Sequence, residues 1–184
     1  MITMNTKNLL LLASLTLAMP LTAQTPQEDF KRDITLSGSN YVAYRGPQKQ
    51  LTAAPKGYKP FYLSHYGRHG SRYMIGKKAY DVPYFSLLKA KQEGKLTAKG
   101  EETLAKVKMI REEAKGRDGE LTPLGALQHQ GITRRMMERF PEIFAGNTNI
   151  EARSTLVIRC ILSMENGLQQ MLRINPKLHI FHDA

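Results

Sequence analysis

The sequence predicts an α/β fold, and three observations carry that prediction. An apolar run from Tyr58 to Gly67 has the composition of a buried strand. Two shorter runs of strand character, Asn149 to Ala152 and Lys177 to His182, flank a long stretch with an apolar stripe at helical spacing. Parallel strands of this kind expect helices over both faces of their sheet.

Taken from the start, residues 1–23 stand apart from the fold. Lys7 precedes a Leu/Ala-rich run, Leu9 to Met19, and a small residue, Ala23, offers a cleavage point. That is the pattern of a secretory signal peptide, and the run is shorter than the ~20 apolar residues a membrane span needs. The chain is therefore expected to be exported (periplasmic, outer-surface or secreted) and free of the membrane after cleavage. Residues 24–57 are polar and punctuated by Pro and Gly, which predicts an irregular lead-in, and residues 58–184 form the predicted domain.

Within that domain, Asp81 and Pro83 can open a short helix that stops at Gly94. Lys99 to Lys115 follows as an amphipathic helix with Leu104, Val107, Ile110 and Ala114 on one stripe. Thr122 caps the next helix and Pro123 fits its first position, where the missing N–H is harmless. Leu124, Leu127, Gly131, Met136 and Phe140 mark its expected inner face, and Pro141 ends it. His129 lies inside this helix, either as a hydrogen-bonded packing histidine or as a group of the phosphate site. After the strand at Asn149, Ser154 or Thr155 is the expected cap of a helix bearing Ile158, Ile161, Leu162, Leu168 and Leu172.

The formal net charge is +11, and residues 1–23 hold one basic and no acidic residue, so the remainder keeps +10. A balance this basic implies a polyanionic partner. Trp is absent and no basic stripe interleaved with stacking aromatics appears, which argues against nucleic acid. Cys160 is the only cysteine, so no disulfide can form within the chain.

The chemistry is concentrated in Arg68, His69, Gly70, Ser71 and Arg72, directly after the predicted strand. An imidazole set between two guanidinium groups suits phosphoryl transfer through a phosphohistidine. Flanking cations favour the neutral, nucleophilic imidazole, and arginine forks match phosphate oxygens two at a time. Arg153 and Arg159, near a strand end and a helix start, form either an anion site or a solvated surface. Spacing alone leaves both readings open.

The three segments Arg68–Arg72, Leu121 to Gly131 and Ala152 to Met164 resemble, in this order, the histidine acid phosphatases. Within that second branch of the histidine phosphatase superfamily, the bacterial inositol-polyphosphate phosphatases are most similar in wording. The resemblance implies the N-terminal half of a three-layer, phosphoglycerate-mutase-like α/β domain that breaks off before its helical insertion is complete. It implies His69 as nucleophile and Arg68, Arg72 and Arg159 as the phosphate clamp. Arg153 becomes a supporting or structural residue, and Tyr73 either touches substrate or packs under the loop. Inositol phosphates such as phytate are the implied substrates, with no metal or cofactor required.

The family's proton donor, a His-Ala-Glu or His-Asp element, is expected beyond Ala184. His182 and Asp183 carry the right letters but arrive before any helical insertion could fit. His179 and His182 make a poor metal pair, since residues three apart on a strand face opposite sides. The resemblance thus implies a phosphomonoesterase impaired by a missing acid. The alternatives are a fragment that only binds phosphorylated ligands and a compact phosphohistidine phosphatase using His179 or His182.

Overall fold

The computed structural model describes residues 25–42, 44, 46–47, 49–50 and 52–184. The predicted signal peptide, residues 1–23, lies outside them. The chain divides into two compact units at Ala43 and Tyr44.

The first unit is helical where the sequence reading expected an irregular lead-in. Helix α1 spans Pro26–Arg32, and a 3-10 helix spans Ile34–Tyr41. The cause is local. Thr25 and Glu28 form a capping box, with Glu28 N–H donating to Thr25 Oγ1 at 3.4 Å and Thr25 N–H to Glu28 Oε2 at 3.1 Å. Pro26 then occupies the first turn, where it is tolerated.

The second unit holds α2 (Lys78–Gln92), α3 (Ala98–Glu113), α4 (Pro123–Arg139), β1 (Asn149–Arg153), α5 (Ile158–Ile174) and β2 (His179–Asp183). Helices α2 and α3 pair as a hairpin whose turn passes through Gly94 at φ +66°. β1 and β2 run parallel, in register from Asn149 opposite His179 to Arg153 opposite Asp183, and α5 is their crossover. The result is a partial α/β domain. Its core sits where α4, α5 and the two strands meet, with Met137, Phe144 and Leu178 buried and Leu63, Ile150, Met171 and Ile180 packed around them. Among the described residues no helix is long and apolar enough to cross a membrane.

Three sequence-based expectations are corrected. Residues 58–67 form no strand, and Phe61 and Tyr66 are 94% and 100% exposed. Apolar composition favours burial, but a strand exists only beside a hydrogen-bonded neighbour, and no described residue supplies that ladder. The inner face of α4 is turned as well. Gly125, Thr133 and Met137 are buried, while Leu124 and Leu127 are exposed. Finally, α5 begins at Ile158 with Val157 as an uncapped N-cap residue. Ser154 does not cap it: its Oγ donates to Thr155 O at 2.9 Å, and its N–H continues the strand ladder to Asp183 O at 3.0 Å.

Candidate functional site

Residues 71–74 and 119–122 run antiparallel around a bridge between Arg72 and Leu121. Three backbone bonds hold this ladder: Tyr73 N–H to Glu120 O, Gly119 N–H to Met74 O and Thr122 N–H to Ser71 O, each 2.9 Å. Thr122 does double duty. Its Oγ1 caps α4 by accepting from Gly125 N–H at 3.0 Å, and it donates to Ser71 O at 2.9 Å. The helix start and the Arg-His-Gly loop are thereby one assembly.

Two glycines let the loop approach the helix. A Cβ on Gly70 would fall 2.6 Å from Gly125 Cα, and one on Gly125 would fall 2.9 Å from Ser71 N. Side chains then satisfy the loop's backbone. Gly70 N–H donates to Ser163 Oγ at 3.0 Å, Ser71 N–H to Gln128 Oε1 at 2.8 Å, and His129 Nε2–H to Arg68 O at 3.0 Å. Ser163 and Gln128 drew no attention in the sequence. Both lie inside the motifs that carry the family resemblance, which was the available signal.

His69 has its Nδ1 at 2.8 Å from Gly70 O. A carbonyl only accepts, so Nδ1 carries the proton and Nε2 of the neutral ring keeps its lone pair. His69, Arg68 and Arg153 line a cleft of about 1110 Å³ between residues 61–69, β1, α4 and α5. Arg68 and Arg153 are exposed there. Glu151 on β1 is the only carboxylate lining that cleft among the described residues.

Arg72 and Arg159 do not line the cleft; both rest against the 71–74/119–122 ladder. Arg72 Nη1 donates to Tyr73 O at 2.8 Å, and Arg159 Nη1 to Gly119 O at 3.5 Å. The Nε of each is buried without a hydrogen-bond partner among the described residues. Buried donors left unpaired are costly, and a water or an anion would satisfy them equally. Arg159 is the second residue of α5, where the helix dipole adds positive potential.

The remaining candidates fall in other roles. Tyr73 is 8% exposed, and its hydroxyl donates to Glu113 Oε1 and accepts from Arg117 Nη1, both at 2.9 Å. The Arg117 guanidinium also stacks 4.5 Å over its ring. The bond to Glu113, with burial, raises the Tyr73 pKa, so this residue packs under the loop and has no free hydroxyl for substrate. His129 is pulled below its ordinary value by burial and by its neighbours His65 and His69, against the opposing bond to Arg68 O. His182 Nδ1 meets Glu165 Oε1 at 2.6 Å, and neither His182 nor Asp183 lines the cleft. Among the described residues no group of three or more His, Cys, Asp or Glu could hold a metal ion.

No protein-family model matches this sequence, and no curated relative does. Solved structures of the multiple inositol polyphosphate phosphatase of Bifidobacterium longum are similar to it. The apo form and the phosphate complex each show 27% identity and a TM-score of 0.57 over 73% of this chain and 29% of theirs. The inositol hexasulfate complex shows 26% identity and a TM-score of 0.54 over the same shares. The chain thus spans under a third of that enzyme's length, and what it carries is part of a histidine-phosphatase-like α/β fold.

Proposed function

We propose that this chain carries the nucleophile and phosphate-binding part of a phosphomonoesterase acting on inositol polyphosphates. The carrying observation is that His69, whose Nε2 keeps its lone pair, shares one cleft with the exposed guanidinium groups of Arg68 and Arg153. In this reading Nε2 attacks phosphorus, an N–P bond forms and the ester P–O bond breaks. The leaving alkoxide takes a proton from a general acid. Water then attacks phosphorus, the N–P bond breaks and inorganic phosphate leaves. Arg68 and Arg153, which line the cleft with His69, hold the equatorial oxygens, where charge is spread during transfer, and Arg72 and Arg159 brace the ladder behind the loop. Such an acid is worth about 10²–10⁴-fold in the first step.

Two further features support the reading. A polyphosphorylated substrate suits the charge of +11, and the similar Bifidobacterium enzyme was solved with phosphate and with inositol hexasulfate. Export, with residues 1–23 as a removable signal, belongs to the same proposal. A second reading, a domain that binds phosphorylated ligands without turning them over, needs only the Arg68 and Arg153 guanidinium groups that face the cleft.

The deciding experiment incubates the chain with ³²P-labelled inositol hexakisphosphate and quenches in alkaline detergent, which preserves phosphohistidine. Label on the parent chain and none on His69→Ala supports the phosphatase. Phosphate binding with no label leaves only the binding reading. Neither label nor binding by the folded chain overturns both.

A further inference from the structure

We propose that the cleft beside β1 is a slot for one extended polypeptide strand, apolar at alternate positions and acidic at its ends. The phase of the β1–β2 ladder is the first ground. At its two ends His179 N–H donates to Thr148 O at 3.1 Å and Ser154 N–H to Asp183 O at 3.0 Å. A strand turns the backbone of alternate residues to opposite edges. Ile150 and Ala152 therefore face β2, while the N–H and C=O groups of Asn149, Glu151 and Arg153 face away from it. Those six groups have no partner among the described residues.

The cleft opens on that free edge. Residues 148–155 line it without a gap, and no residue of β2 does. Side chains alternate between the two faces of a strand, so an unbroken lining marks an edge rather than a face. The opposite wall repeats the pattern. Residues 61–63 and 65–69 line it, and residues 61–67 make no backbone hydrogen bond among the described residues. A lipid or other apolar ligand would leave both rows of donors and acceptors unmet. A strand laid between them meets both.

The lining side chains choose the strand's chemistry. Met136, Phe144, Ile150, Leu168 and Met171 suit apolar side chains at alternate positions. Arg68, Arg153 and three histidines stand against the one carboxylate, Glu151, so acidic ends complement the cleft and basic ends do not. Charged residues on an exposed edge are an ordinary guard against chance pairing. The second wall is what distinguishes this edge from the outer edge of β2. The inference does not depend on phosphate turnover.

The test titrates the full nitrogen-15-labelled chain with the peptide acetyl-Glu-Thr-Val-Thr-Val-Thr-Glu-amide. Saturable binding is expected, with the amides of Asn149, Glu151 and Arg153 shifting and becoming protected from hydrogen exchange. The amides of Ile150 and Ala152, already bonded to β2, should change less. Glu151→Pro removes the central cleft-facing N–H and leaves the ladder to β2 complete, since an edge tolerates proline. It should weaken the peptide about tenfold while Ile150 and Ala152 stay protected. If that variant loses the ladder, the peptide N-methylated at its third and fourth residues replaces it, and its failure to bind is the supporting result. No binding by the folded parent up to about 1 mM peptide overturns the proposal. So does unchanged affinity in Glu151→Pro with its ladder intact, or for the methylated peptide. Equal affinity for a Lys-ended peptide removes the charge preference. Protection of the three amides that rises with the concentration of the free chain would make a second copy the occupant and overturn the proposal.

Discussion

Residues 58–67 and 68–72 follow one another in the chain and are held in opposite ways. The first run is the more apolar, yet Tyr58, Phe61, Tyr62 and Tyr66 are all at least 74% exposed, and Leu63 alone reaches the core. The second run is polar and charged, yet Arg68 O, Gly70 N, Ser71 N and Ser71 O each have a partner from α4 or α5, or from the capping residue Thr122. Each such bond contributes about 0.5–1.5 kcal/mol net, and an unmet buried amide costs about 1–3 kcal/mol. Hydrogen-bond satisfaction, more than hydrophobicity, is what places the loop. Among the described residues the aromatic run has no comparable neighbour on either side.

The sharpest way to break that contrast is to delete one side chain from each side of it. Leu178→Ala, at 5% exposure in the core that Leu63 touches, should destabilise the chain by about 2–5 kcal/mol in urea melts. Tyr66→Ala should change the same melt by less than about 0.5 kcal/mol. A loss above 1 kcal/mol at Tyr66, on the scale of core rather than surface changes, would mean that the aromatic run is packed after all.

Gly70→Ala comes next, because its Cβ would meet backbone that cannot move aside. A loss of about 1–3 kcal/mol is expected, together with loss of phosphate binding. Arg153→Ala, at an exposed position in the cleft, should leave the melt nearly unchanged and weaken phosphate roughly ten- to hundredfold by calorimetric titration. Equal affinity in that variant would remove Arg153 from the site.

The smallest effect concerns pH. His129 has a folded pKa below the unfolded value of 6.5. As pH falls through 6.5 and on through the folded value, the unfolded chain takes up a proton that the folded chain resists, so this contribution to stability is present above 6.5 and lost below it. His129→Gln keeps a donor for Arg68 O without the titration. Its melting temperature should fall less than the parent's between about pH 7 and pH 5. Parallel curves would show that His129 does not sense the change.

Much of this was legible because it is local. Thr122 and Pro123 start α4 as read, and the strands at Asn149 and at His179 lie within about two residues of their expected places. Local signals also exist for α1 in the Thr25–Glu28 capping box, which the Pro/Gly content of the surrounding segment obscured. The turn of the α4 face was not legible, because Gly125 is buried for closeness to Gly70 rather than for hydrophobicity. Ser154 and Thr155 look like helix caps in sequence, but α5 starts at Ile158 with Val157 before it, and Ser154 Oγ bonds Thr155 O rather than a helix amide.

The sequence by itself determined which chemical groups this chain brings: an imidazole among arginines, a capped helix, and two short strands around an amphipathic crossover. Those follow from residue types and from spacings of two to four positions. Only the tertiary structure decided that Ser163 and Gln128 hold the loop, that Tyr73 is spent on Glu113 and Arg117, and that Arg72 and Arg159 share one ladder while Arg68 and Arg153 face the cleft. Hydrogen bonds between residues 57 and 93 positions apart, at Ser71–Gln128 and Gly70–Ser163, have no local signature. They form because a buried amide must find an acceptor, and which acceptor is within reach is a property of the folded chain.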